Sequence, residues 1–301
     1  MTPGHAHPSL AAPPHHVTRL RLFIDLQHGL GNRLRALSSA AVIAQACDRQ
    51  LVVIWVPDHH CGARMGDLFD HDQPLIETAQ AAALMRDSAA RVYNYMEIEP
   101  GSRHLEPVLA DPVGGDVYVR SAYTLVSPLL MPARERTWLW AMRPSRAVRD
   151  LLGRGLRGAD LAVHVRMATG PAFDHLRHEA PDNWPAHRHR ELVAWREKSH
   201  ISRFIARLDQ LETMGERGRI FAAADLPASY AALADRYGSR LHWLPRDLHD
   251  RSAPQQQHAL ADMLLLASAG RFLASSWSSF SDMAQRLARP GRPVELSGRD
   301  F

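Results

Sequence analysis

From Leu20 onward, short apolar runs alternate with amphipathic stretches. Residues 20–26 (LRLFIDL) are apolar enough for a buried strand, and Gln27-His28-Gly29-Leu30-Gly31-Asn32 follows as a tight loop. Over 33–48, Leu34, Leu37, Ala41 and Ala44 recur at helical spacing among good helix formers. LVVIWV at 51–56 is a second strand, closed by Pro57 and followed by a polar loop rich in His and Asp. Strand, glycine turn, helix and strand make a βαβ unit, the mark of a parallel α/β sheet.

The middle is less regular: 75–91 reads as helix, 92–99 and 116–125 as strands, and 128–152 as mainly helix broken at Pro144. Gly153 to Gly158 reads as a linker, after which the alternation restarts with strand 160–166. A polar loop runs to about 190, then helix 190–214, strand 219–224 and helix 227–237, with Asp225 as the predicted cap and Pro227 in the first turn. Strand 240–244, helix 254–269, strand 271–275 and a serine-rich turn opening helix 279–288 complete the pattern. The expected fold is α/β, with two Rossmann-like halves, 19–152 and 153–301, facing across a cleft between the carboxyl ends of their strands.

A chain of 301 residues suits two domains. No window approaches the roughly 18–20 unbroken apolar residues of a membrane span. Two cysteines, Cys47 and Cys61, exclude a disulfide scaffold and fit a reducing, cytoplasmic setting. Basic residues number 36 against 32 acidic ones, but they are scattered rather than gathered into a face, which argues against a nucleic-acid partner. Lys198 is the only lysine, so nearly all positive charge is arginine, the better bidentate partner of phosphate and carboxylate. Residues 1–18 are proline- and histidine-rich with little to bury, and read as a disordered tail without the pattern of a signal peptide.

Three places carry candidate chemistry. Gly29, Gly31, Asn32 and Arg33 stand where a strand turns into a helix, whose free N–H groups suit an anion. A dinucleotide fingerprint would need a third glycine where Leu34 stands. His164 and Arg166 share one face at the end of a strand; a buried Arg there requires an anionic partner, a phosphate or a neighbouring acid. Ser275, Ser276, Ser278, Ser279 and Ser281 fall within seven residues at another strand-to-helix turn, more hydroxyls than a cap needs. Together these suggest a diphosphate ligand between the halves. Asp70-His71-Asp72 and His187-x-His189 sit in polar loops and support no metal site.

In order, GLGNRLRAL (29–37), WVPDHHCGARMGDLF (55–69), HVR (164–166), FAAAD (221–225) and SSWSSFSD (275–282) resemble the fucosyltransferase superfamily of nodulation, core α-1,6- and protein O-fucosyltransferases. The resemblance spans about 20–290 and is nearest to small bacterial members. It implies a GT-B arrangement, GDP-fucose held chiefly by the C-terminal half, inversion at the sugar carbon, a glycan or glycoconjugate acceptor, and no metal or other cofactor. Carried over, Arg166 meets the β-phosphate, His164 and Asp262 help hold guanosine, and Ser278 and Ser279 hold phosphate oxygens. Gly31 and Asn32 face the donor, Arg33 adds charge, and Asp225 matches an acidic family position. For the acceptor, His28 ranks first as base, with Asp58, His60 and Trp184 on the same side. One departure stands out: the family's animal core enzymes continue HVR with Arg-Thr-Asp, whereas here Met167-Ala168-Thr169 follows. Rival readings are a non-catalytic nucleotide-sugar binder on the same fold, an NAD-dependent oxidoreductase using the glycine turn with Asp58 as its ribose acid, and a sulfotransferase.

Overall fold

The structure, a computed structural model, describes residues 19–247 and 249–301; the tail 1–18 lies outside them. The first half runs β1 (Arg21–Leu26), α1 (Leu30–Ala46), β2 (Gln50–Ile54), α2 (Met65–Leu68), β3 (Phe69–Asp70), β4 (Leu75–Ile76), α3 (Ala79–Ser88), β5 (Arg91–Asn94) and β6 (Val117–Ser121). Helix α4 (Pro132–Ala141), strand β7 (Arg143–Pro144) and helix α5 (Arg146–Arg154) lead to the second half. That half runs β8 (Leu161–Val165), α6 (Ala186–Glu197), α7 (Ile201–Thr213), β9 (Ile220–Ala224), α8 (Pro227–Tyr237) and β10 (Leu241–His242). It ends with α9 (Ala253–Ser268), β11 (Arg271–Ala274), α10 (Ser279–Leu287) and β12 (Val294–Leu296).

Two five-stranded sheets result, in the orders β4-β2-β1-β6-β5 and β10-β9-β8-β11-β12, every pairing parallel. The strand sequences explain this: β8 and β9 are buried at every position, as strands covered on both faces must be. Successive residues serve opposite faces. Leu22, Ile24 and Leu26 of β1 join the core around α1, whereas Phe23 lies on the other face with Val52, Ile54, Tyr118 and Ala82 of α3. In the second sheet Ala162 and Phe272 meet α9, while Val163, Val165 and Leu273 meet Phe204 and Leu208 of α7 and Leu233 of α8. Burying each such large side chain contributes about 1.5–3 kcal/mol. Because α1 packs on α10, and α5 on α9, one apolar cluster runs between the two sheets.

Several elements differ from expectation for local reasons. Helix α1 starts at Leu30, not 33, so the glycine loop is its first turn and Gly29 its N-cap residue. The helix expected over 75–91 shortens to α3, because Leu75–Ile76 pair with Val53–Ile54 as an edge strand. The helix expected over 190–214 starts earlier and divides into α6 and α7, with the His200 ring accepting from the Ser202 N–H to start the second. Asp225 is not a helix cap: Leu226 occupies that position, and the Asp225 carboxylate turns back to the β8 end.

Candidate functional site

A cavity of about 900 Å³ opens at the carboxyl ends of β1, β8, β9 and β11 and is lined from both halves. The amino termini of α1 and α10 meet there. A Cβ on Gly31 would stand 2.6 Å from the Ser279 carbonyl carbon and oxygen and 2.8 Å from the Phe280 nitrogen. Gly31 is therefore required by the contact between two helix starts, not by a ligand's approach. Gly31→Ala should push α1 and α10 apart and destabilise the fold by about 1–3 kcal/mol, as overpacking does. Chemical denaturation checks this; an unchanged midpoint would mean that the two helix starts have room for a methyl group. Gly29 offers no side-chain cap to α1, so the first N–H groups of that helix remain available to an anion.

Arg166 leaves β8 with its guanidinium held by two carboxylates. One Nη contacts Asp225 and also donates to the Ala168 carbonyl at 3.0 Å; the other contacts Glu179. Asp225 in turn accepts from the backbone N–H groups of Met167 at 2.9 Å and Ala168 at 2.8 Å, and Glu179 accepts from the Thr169 hydroxyl at 2.7 Å. Burial alone would disfavour all three charges. Their mutual pairing wins: the Arg166 pKa moves up, and those of Asp225 and Glu179 move down. Asp225 and Glu179 thus orient Arg166 within the cavity wall.

The serine turn divides its roles. Ser275 Oγ accepts from the Arg166 N–H at 2.9 Å and donates to the His164 carbonyl at 2.8 Å, locking β11 to β8. Ser276 reaches the cavity lining, but its hydroxyl donates to the Ser297 carbonyl at 2.7 Å, away from any donor-binding role. Ser278 caps α10, accepting from the Ser281 N–H at 3.3 Å. Ser279, in the first turn, lines the cavity. His164 pairs with the Ser281 hydroxyl at 2.7 Å and stacks on Phe280 with centroids 4.6 Å apart; burial lowers its pKa to about 3, so the ring is neutral.

Two expected residues do not face this cavity. Arg33 is wholly buried: it donates to the His28 and Val56 carbonyls, pairs with Asp58 at 3.0 Å and stacks over Trp55. It stabilises the two turns rather than adding charge for a ligand. Asp58 commits its other oxygen to the N–H groups of His60 at 2.8 Å and Cys61 at 3.0 Å, which removes it as a base here. His28, at a left-handed φ of 63°, does line the cavity, 4.9 Å from the His60 ring and 5.4 Å from Trp184, edge-on. Burial, reinforced by neighbouring positive groups, lowers both histidines to about 3. Asn32 lines the same mouth.

Arg196, Glu179, Arg246 and Arg251 also line the cavity, yet they lie on α6 or in loops and belong to no sequence motif. Arg196 is buried with no carboxylate partner, donating to the Ser276 and Trp277 carbonyls at 3.1 and 3.0 Å. Those bonds hold Trp277 at a left-handed φ of 54°. Its Nε finds no acceptor, and burial, with Arg166 nearby, lowers its pKa to about 9. Asp262 on α9 touches Arg246 through Oδ2, while buried Oδ1 has no partner. Burial raises its pKa to about 6 despite the arginine. Gln256 Oε1, also in the lining, is likewise unpartnered. Buried polar atoms in native proteins are normally paired, so the unpartnered groups on Arg196, Gln256 and Asp262 leave this lining able to take hydrogen bonds from a ligand. Among the described residues, no three His, Cys, Asp or Glu side chains cluster as a metal site, and no helix is long and apolar enough to cross a membrane.

This architecture of parallel α/β sheets is one that solved fucosyltransferases share. NodZ, a fucosyltransferase from Bradyrhizobium, superposes with a TM-score of 0.60 at 14% identity, over 90% of this chain and 94% of that one. POFUT1 in complex with GDP-fucose gives 0.52 at 11% identity, over 95% and 99% of the two chains. An Arabidopsis thaliana FUT1 mutant in complex with GDP gives 0.54 at 17% identity, over 93% and 70%. No protein-family model and no curated protein sequence matches the chain.

Proposed function

We propose that this protein is a glycosyltransferase of GT-B arrangement that moves fucose from GDP-fucose to a glycan or glycoconjugate hydroxyl, with inversion and without a metal. The observation that carries the reading is the set of unpartnered polar groups around one cavity: a carboxylate oxygen on Asp262, a cationic N–H on Arg196, and the first turn of α1, which has no side-chain cap. Such a set asks for a ligand bearing N–H donors at one end and negative charge at the other. A guanosine diphosphate has both: guanine presents two adjacent donors to a carboxylate, and the diphosphate suits helix starts and arginines. The neighbours' fucosyltransferase names and bound GDP or GDP-fucose support the same donor.

In this reading the charge that grows on the departing diphosphate is met by groups already fixed in place: Arg166, held by Asp225 and Glu179, the N–H groups of α1 and α10, and the Ser279 hydroxyl. Arg196, reaching in from α6, supplies a second cation, in a chain where Met167-Ala168-Thr169 stands in place of the Arg-Thr-Asp run of the animal core enzymes. His28, neutral and beside His60 and Trp184, is the group we assign to the acceptor hydroxyl. A base this weak suits a dissociative transition state, in which the proton leaves late.

Calorimetry with GDP, UDP, ADP and NAD, with and without EDTA, tests the donor class. Tight binding of GDP alone, unchanged by EDTA, is expected. Preference for NAD or for an adenosine bisphosphate would overturn it in favour of an oxidoreductase or a sulfotransferase. GDP-fucose binding without release of GDP in the presence of any acceptor would leave a nucleotide-sugar binder.

A further inference from the structure

Helix α9 buries polar side chains where its sequence is otherwise that of a core helix. Leu260, Met263, Leu265 and Leu266 join the apolar cluster, yet Gln255, Gln256 and Asp262 are buried beside them. With Ala259, these three line the nucleotide cavity. The spacing accounts for it: 255, 259 and 262 fall at i, i+4 and i+7, and 256 stands three before 259. One stripe of the helix therefore forms a wall of the cavity.

Asp262 already has a place in the donor site, against the base. Gln256 has none, although it is only 2% exposed and its Oε1 finds no hydrogen-bond partner. Its neighbour shows the contrast. Gln257, less buried, gives its Nε2 to the Asp67 carbonyl at 3.1 Å and so ties α9 to the first half. An acceptor withdrawn from water without a partner destabilises the fold by the full desolvation of that atom. Gln256 is thus a poor core residue and a ready contact for a ligand's donor.

Its place along the helix says which part of a nucleotide it meets. Asp262 lies six residues further on, about 9 Å along the axis. In the other direction Arg251, just before α9, faces Glu179 at 3.4 Å, and Glu179 grips Arg166. Gln256 therefore stands between the group assigned to guanine and those assigned to the diphosphate. Ala259, with nothing beyond Cβ, leaves room against the wall between Gln256 and Asp262. Between base and diphosphate a nucleotide has its ribose, whose adjacent 2′ and 3′ hydroxyls each donate and accept. A carboxamide sets an acceptor beside donors and matches such a pair.

We infer that Gln256 reads the ribose of the donor, its Oε1 accepting from the 2′-hydroxyl, so that the site selects ribonucleotides. The inference rests on the proposed GDP-sugar donor and adds a specificity-determining contact to it. Calorimetry with GDP, 2′-deoxy-GDP and GDP-fucose on the wild type and Gln256→Met tests it, beside thermal melts of both proteins without nucleotide. Methionine keeps the length of the side chain and removes the carboxamide. The wild type should bind GDP about tenfold more tightly than 2′-deoxy-GDP, as expected for one hydrogen bond to an otherwise unpartnered acceptor. In Gln256→Met that preference should fall below about twofold, with GDP and GDP-fucose weakened alike. The melting temperature should stay the same or rise, because a buried amide without a partner has gone. Equal wild-type affinity for GDP and 2′-deoxy-GDP would overturn the contact. So would a variant that melts lower and keeps the wild-type preference, which is the mark of a purely structural role. A loss confined to GDP-fucose would move Gln256 to the transferred sugar and overturn it too. Failure of the wild type to bind GDP at all is a separate result, sinking the donor assignment and this contact with it.

Discussion

Arg166→Ala should lower the turnover of fucosyl transfer by about 10²–10³-fold, roughly 2.7–4 kcal/mol, the loss seen when one preorganised donor to a developing oxyanion is removed. The reason lies in how the side chain is held. Asp225 is fixed by two backbone N–H groups and Glu179 by Thr169, so the guanidinium they grip cannot swing to follow the substrate. It is in place before charge develops. Alanine also leaves the buried Asp225 carboxylate without its cation and Glu179 with Arg251 alone, at 3.4 Å, so part of the loss is one of folding. Arg166→Lys separates the effects. It keeps a cation between the acids but loses the planar fork, and should fold like the wild type while transferring more slowly. Steady-state kinetics beside thermal melts decide the matter. Near-normal turnover in a folded Arg166→Ala protein would remove Arg166 from the reaction.

The layers were readable where local pattern and tertiary role coincide. β1, β2, β8, β9 and β11 are apolar runs because both their faces are covered, and each was visible as such. Edge strands were not: β4 and β12 are short and half-buried, so nothing in their composition separates them from loop. In the site, His28, Asn32, His164, Arg166 and Ser279, singled out at turns and strand ends in the sequence, all line the cavity, because the carboxyl ends of parallel strands and the turns that follow them open onto it. Arg33 and Asp58 misled for the same reason. They occupy the right turns but face each other, and an inward-pointing arginine looks identical in sequence to one facing a ligand. Arg196 and Glu179 were invisible because their importance comes from α6 and the 167–185 loop folding over β8 and β11, a contact that no spacing encodes.

Asp262 gives the sharpest test of the base. Two charge-assisted hydrogen bonds from guanine, at about 1.5–3 kcal/mol each, should make the cavity prefer GDP to ADP by two orders of magnitude or more. Asp262→Asn turns one acceptor into a donor and should remove at least about 100-fold of that preference. The substitution alone leaves Arg246, itself buried, without its counter-charge. The Arg246→Gln/Asp262→Asn pair removes both charges and isolates recognition from folding. The pH dependence is independent of any substitution. Burial raises the carboxyl from 3.8 to about 6, so the folded protein holds this proton more tightly than the unfolded chain. Its contribution to stability therefore declines as pH rises from about 4 to 6. Guanine needs the ionised form, so binding GDP opposes that proton. GDP affinity should fall more steeply than ADP affinity as pH drops below about 6, the two curves separating by up to about tenfold per unit, because protonation of the terminal phosphate near pH 6 acts on both nucleotides alike. Calorimetry from pH 5 to 8 with both nucleotides reads this directly: parallel curves for GDP and ADP would mean that Asp262 does not touch the base.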